Sequence, residues 1–154
     1  MKRMVLGFAF NPFANKVLLI HKNRPDWQRG KLNGVGGHIE GSETSRDAMV
    51  REFREETGEI VPDFMWTHAG RMEHLPTMPG DEPWSVTVYC TSGNNWPSLD
   101  MNKTDEPLEW VPVASLTELA AAGGCIENIP VLVALCLLQP APPSNRRPDF
   151  LLRY

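Results

Sequence analysis

A chain of 154 residues and 17.3 kDa has room for one domain with a full hydrophobic core and none for a second catalytic domain. Its net charge of -4 and pI near 5.5 exclude the broad basic field of a nonspecific binder of polymeric nucleic acid, while a small nucleotide that brings its own cation stays compatible. Cys90, Cys125 and Cys136 are odd in number, scattered and without C-x-x-C spacing, which points to buried thiols in a reducing compartment, the cytoplasm, rather than to a metal site.

Residues 4–10 and 17–21 read as two strands joined by an N-P-F-A-N turn. The first apolar run is brief and breaks at Asn11 and Pro12, so it reads as a strand and not as a signal peptide. A polar loop follows at 24–31, and the segment LNGVGGHIE leads into a helix expected at 45–57. Thr44 is its N-cap, Asp47 the capping-box partner and Gly58 the terminating glycine, with Ala48, Met49 and Phe53 as the apolar stripe. Residues 64–75 form a strand kinked near Gly70, 84–91 a strand with period-two alternation, and 109–113 a short one. Residues 115–122 and 127–138 read as helices, and the run VLVALCLL ends at Gln139 and Pro140, well short of the roughly 18 apolar residues a membrane span requires. Strands, a helix, strands and helices in that order describe an α/β (α+β) fold with a mixed sheet between helices.

The domain is expected at 1–139, followed by the proline-rich tail 140–154, PAPPSNRRPDFLLRY. Two readings of the tail stay open: a mobile segment, or a docked strand whose Phe150, Leu151, Leu152 and Tyr154 cover the sheet or a partner subunit in a homodimer. Arg146 and Arg147 read as a solvated pair.

The most informative stretch is GHIEGSETSRDAMVREFREETG, from Gly37 to Gly58. Glu52, Glu55 and Glu56 are helical neighbours, and each like-charge pair costs roughly 0.2 to 0.5 kcal/mol unless something positive lies between them. They also sit near the negative end of the helix dipole, which favours cations. An ordinary solvated face paired with Arg51 and Arg54 is one reading, and a bound divalent cation is the other.

This stretch resembles the box of the Nudix hydrolase family: a glycine, five residues, a glutamate, seven residues, then R-E-apolar-x-E-E-x-G-apolar, here Gly37, Glu43, Arg51, Glu52, Phe53, Glu55, Glu56 and Gly58. The last place holds Glu59 instead of an aliphatic residue, with Ile60 behind it, so a shifted packing contact is expected beyond the helix. The resemblance implies magnesium, with manganese as its substitute, held by Glu52, Glu55, Glu56 and the Gly37 carbonyl, in keeping with the preference of hard cations for oxygen. It further implies that Arg51 orients the glutamates, that Glu43 supports the loop, and that the reaction is hydrolysis of a phosphoanhydride.

Outside the box, Lys31 to Gly37 resembles the strand and turn of MutT-type (d)NTP pyrophosphohydrolases, which implies a nucleotide site at Asn33, Gly36 and Gly37 with Asn33 reading the base. A turn residue bonded to its own backbone is the other reading of Asn33. His38, directly after the glycines, is placed to touch phosphate. Thr104-Asp105-Glu106 resembles a loop that delivers a further glutamate, making Glu106 a fourth ligand or general base, and Glu127 with Asn128 falls where acidic base contacts occur in related enzymes, Asn128 otherwise capping the last helix. Trp27, Trp84 and Trp110 read as partly buried core. The substrate implied is a (d)NTP, with ADP-ribose or another nucleoside diphosphate derivative as the alternative. A Nudix-like module that binds a nucleotide without cleaving it is the competing class, from which the intact set of box carboxylates argues away.

Overall fold

The computed structural model describes residues 1–93, 96, 98–102, 105–139 and 150–154; Thr104, Arg146, Arg147 and the proline-rich segment 140–149 lie outside the described residues. Among the described residues seven strands form one mixed sheet: β1 (Lys2–Phe10), β2 (Lys16–His21), β3 (Leu32–Asn33), β4 (Thr67–His74), β5 (Trp84–Ser92), β6 (Leu108–Pro112) and β7 (Phe150–Arg153), in the order β3-β2-β1-β5-β4-β7 with β6 paired to β2. β1 runs parallel to β5, β7 runs parallel to β4, and the other pairs are antiparallel.

Period-two alternation divides the core. Leu6, Phe8 and Phe10 of β1, with Val17 and Leu19 of β2, face one side, where α2 (Leu116–Ala121) and α3 (Ile129–Leu137) cover them. Val5, Ala9, Leu18 and Ile20 face the other side and are covered by α1 (Ser45–Thr57) through Ala48, Met49 and Phe53. The helix comes so close to β1 that a Cβ on Gly7 would lie 2.7 Å from the Met49 thioether. The sheet is thus sandwiched between helices, as expected from the order of the elements. Cys90, Cys125 and Cys136 are buried free thiols, and among the described residues no helix is long and apolar enough to cross a membrane.

α1 begins and ends at the expected residues because its capping box is complete: the Asp47 N–H donates to the Thr44 hydroxyl, the Asp47 carboxylate accepts from Thr44, and Gly58 closes the helix at φ 79°. Two other elements differ from expectation. The strand proposed from 64 starts at Thr67, since Asp63 takes the Phe64 N–H and the chain closes a 3₁₀ turn over Asp63–Met65. The kink expected near Gly70 is a register shift between His68 and Gly70. α3 starts at Ile129, with Asn128 in the capping position but without a side-chain cap bond; its amide lies 3.5 Å from the Met72 sulfur.

The feature that positions the site is the parting of β1 from β2. They pair at Ala9–Leu18 and Phe10–Val17, then diverge, and the segment from Leu32 to His38 enters the gap. It bonds to β2 through Ile20–Asn33 and His21–Leu32, then crosses to β1 through Gly7–Val35 and Met4–His38. Gly36 is needed there for close approach, because a Cβ would lie 2.1 Å from the Val5 carbonyl oxygen.

Candidate active site

Helix α1 and the glycine turn face one another, and Gly37 has no side chain because the Glu52 carboxylate occupies that space: a Cβ would meet Glu52 Oε1 at 2.4 Å. The turn also donates the Gly36 N–H to Glu56 Oε2 at 2.9 Å. Glu52 and Glu56, one turn apart, are therefore both directed at the turn. The side chain of Glu55 is 58% exposed and lies toward Arg51 Nη1 at 3.3 Å.

Two cations divide these carboxylates. Arg51 Nη2 donates to Glu43 Oε1 at 2.6 Å and to the His38 carbonyl at 2.9 Å, Nη1 donates to Glu52 Oε1 at 2.9 Å, and Nε reaches Glu43 Oε2 at 3.2 Å. The guanidinium thereby ties the turn to the helix, and it holds the Glu43 carboxyl below its ordinary range. The other cation is Lys22, at the end of β2, whose Nζ donates to Glu106 Oε2 at 2.7 Å and to Glu56 Oε1 at 3.3 Å. All three side chains are largely buried, at 14% exposure for Lys22, 13% for Glu106 and 16% for Glu56.

Burial pushes the Glu56 carboxyl up, and the attraction of Lys22 with the Gly36 N–H offsets this only in part. Burial acts on Glu106 in the same sense, but there Lys22 and the Asn23 N–H outweigh it and the carboxyl is held low. Burial alone would lower the Lys22 ammonium, whereas the two glutamates hold it above its ordinary range. Burial opposes ionisation at both, but Glu56 also feels Glu52 and has only the longer contact to the shared ammonium, whereas Glu106 takes the shorter one together with the Asn23 N–H.

The structure thus brings Glu52, Glu56, Glu106, Gly36 and Gly37 into one site with Arg51 as its brace, and it places His38 and Asn33 less centrally. The Gly37 carbonyl accepts the Val5 N–H at 2.9 Å, leaving one lone pair for any other partner. His38 is exposed, and its backbone is used by Arg51 and β1. Asn33 Oδ1 accepts the Gly34 N–H at 2.8 Å, the turn role, while its Nδ2 donates to Gln28 Oε1 at 2.9 Å. Lys22 and Gln28 were not singled out in the sequence. A lysine after an apolar strand carries no signal until the pairing of β2 with β6 places it beside Glu106.

A divalent cation can be tested against these donors. Among the described residues no three His, Cys, Asp or Glu side chains converge as a metal-binding group; Arg51 and Lys22 are the cations on these carboxylates. The donor set nevertheless fits a hard cation: all the side-chain donors are carboxylate oxygens, Glu52 and Glu56 face one turn, and Glu56 is buried with a long 3.3 Å contact as its ion pair to Lys22.

Beyond the helix, Glu59 Oε2 accepts the Ser98 N–H at 2.7 Å, Ile60 is 60% exposed, and Val61, 3% exposed, supplies the shifted core contact. Trp84 and Trp110 are partly buried, but Trp27 is 63% exposed.

Comparison with known proteins adds to this geometry. The NUDIX domain model matches residues 2–129. Among solved structures, a MutT protein from Bacillus halodurans is 23% identical with TM-score 0.62, covering 80% of this chain and 78% of that one. A MutT described for Aliivibrio salmonicida and Vibrio cholerae is 20% identical with TM-score 0.60, covering 88% and 96%. The NUDIX domain of Shewanella oneidensis NrtR, complexed with ADP ribose, is 14% identical with TM-score 0.68, covering 88% and 85%. At these identities the likeness is one of fold.

Proposed function

Because this chain belongs to the NUDIX family and is a Nudix-type pyrophosphohydrolase, we propose that it hydrolyses a phosphoanhydride in a nucleotide, converting a (d)NTP to (d)NMP and pyrophosphate. The observation that carries this reading is the pair of box carboxylates, Glu52 and Glu56, directed at a glycine turn with Glu106 beside them across Lys22. Glu52, Glu55 and Glu56, with the second lone pair of the Gly37 carbonyl, would hold magnesium or manganese, which when bound neutralises a diphosphate and lowers the pKa of a water.

The chain's own groups do the rest. Arg51 keeps Glu52 on the turn by a fixed fork of hydrogen bonds, and Glu43 anchors that fork. Gly36 and Gly37 let the turn approach β1 and the Glu52 carboxylate closely, and the exposed His38 directly after them would serve the phosphate end. In the reaction a water oxygen bonds to one phosphorus of the anhydride and gives its proton to a carboxylate or to solvent, the bridging P–O bond breaks, and the bridging oxygen leaves with the electron pair on pyrophosphate or on the nucleotide. Asn33 has one amide hydrogen and one lone pair beyond its bonds to Gln28 and Gly34, and these suit a purine edge. Buried free thiols fit a cytoplasmic setting.

A second reading is hydrolysis of ADP-ribose, favoured by the likeness in fold to a domain complexed with ADP ribose. One assay separates the two: with magnesium, release of pyrophosphate or orthophosphate from canonical and oxidised (d)NTPs, and of nucleotide products such as AMP from ADP-ribose, NADH and dinucleoside polyphosphates, with Glu56→Gln as control. Pyrophosphate from a triphosphate is the expected result. Turnover of ADP-ribose with none of the triphosphates replaces it by the second reading, and equal turnover in the Glu56→Gln protein overturns both.

A further inference from the structure

We propose that Lys22 is a tethered counter-cation, which clamps Glu56 to Glu106 in the metal-free protein and surrenders Glu56 when a divalent ion binds, so that it sets the affinity of the site. This rests on the metal-dependent reading of the same carboxylates. Lys22 stands at a fixed place: its N–H donates to the Lys31 carbonyl at 2.9 Å and its carbonyl accepts the Gly30 N–H at 2.8 Å. From there the stem reaches two carboxylates carried by different elements, Glu56 on α1 and Glu106 on the loop before β6.

The two contacts are unequal. Glu106 takes the 2.7 Å bond, and its other oxygen is fastened by the Asn23 N–H at 2.8 Å, so this half of the clamp is rigid. Glu56 takes the 3.3 Å contact through Oε1, while Oε2 is held by Gly36. A divalent ion and an ammonium cannot share Glu56 Oε1 at contact distance, since their repulsion in a largely buried site is weakly screened. The ammonium is a compact point charge on a flexible stem and can withdraw to Glu106. Glu56 is therefore the exchangeable end and Glu106 the anchor.

The test is Mn²⁺ binding, read from the EPR signal of the free ion, with no substrate present. Lys22→Met, which keeps the stem and removes the charge, is expected to bind Mn²⁺ about tenfold tighter, the scale set by losing one nearby like charge at intermediate screening. Lys22→Arg keeps the charge and is expected to stay near the parent value. A lysine that only supported the fold would loosen binding when removed, so an unchanged or weaker affinity in Lys22→Met overturns the inference. Binding that ignores Glu56→Gln overturns the metal reading and this inference with it; binding that needs Glu56 yet ignores Lys22→Met overturns this inference alone. Should Lys22→Met fail to fold, the unmutated chain still decides. The Lys22 ¹³Cε resonance, assigned by its loss in Lys22→Arg, is expected to move with the Mg²⁺ binding curve, and a resonance unmoved at saturation overturns the inference.

Discussion

Arg51 and Lys22 each gather glutamates at the same end of the molecule, yet they are built for different tasks. Arg51 spends the planar fork of its guanidinium on Glu43, Glu52 and the His38 carbonyl, groups that belong to one continuous stretch of chain from the turn into α1. Lys22 joins Glu56 to Glu106, fifty residues apart in sequence, through a single ammonium. A fork fixes direction as well as distance and makes a brace, whereas a point charge fixes distance only and can be exchanged for another cation. A carboxylate-rich helix is thus neutralised by two cations of different kind, a guanidinium fork and a single ammonium.

The largest expected effect falls on the ammonium side. Glu56→Gln should lose more activity than the roughly 10- to 100-fold that removing an outer partner costs a metal site. Its metal-free melting temperature should stay close to the parent, because Lys22 keeps Glu106. A melt far below the parent would mean that Glu56 is a structural support and would collapse the contrast with Arg51. Arg51→Lys should show the reverse balance, losing about 1–3 kcal/mol in denaturant unfolding as the buried ends of Glu43 and Glu52 lose their fork. An unchanged unfolding midpoint would deny Arg51 its role as a brace.

The two glycines of the turn sharpen the same contrast. Gly36→Ala would drive a Cβ against the Val5 backbone at 2.1 Å and should cost about 1–3 kcal/mol of stability. Gly37→Ala meets only the far end of the Glu52 side chain, at 2.4 Å, which can rotate away. It should unfold near the parent midpoint and yet hydrolyse poorly, since Glu52 leaves the turn. Equal losses of stability and activity in both variants would erase that separation. The smallest effect is expected from Asn33→Ala: unfolding within about 1 kcal/mol of the parent, pyrophosphate release retained, and a changed preference among bases. Unchanged preference would leave Asn33 as a turn residue alone.

Legibility in the sequence followed the distance over which each contact acts. The span of α1 could be read to the residue because Thr44, Asp47 and Gly58 act within a few positions of the backbone they cap. The existence of β1 and β2 could be read because a short apolar run ended by turn residues is a local property of the chain. The start of β4 was misplaced because the apolar Phe64 suits a strand by propensity while its neighbour Asp63 closes a turn. The core contact after the box was expected to shift, and its place two residues on, at Val61 with Ile60 exposed, depended on how the chain leaves the helix and how Glu59 fastens Ser98.

By itself, then, the sequence determined the family, the helix, the main strands and the box carboxylates, all of which are written in spacings of a few residues and need no knowledge of the distant chain. Tertiary structure alone decided that Lys22 stands between Glu56 and Glu106 and that β7 lies parallel to β4 with Phe150 against Gly70. Each of these depends on the register in which strands far apart in sequence meet. Register is set by the summed fit of both faces of the sheet and by the parting of β1 from β2, so no single residue in the chain announces it.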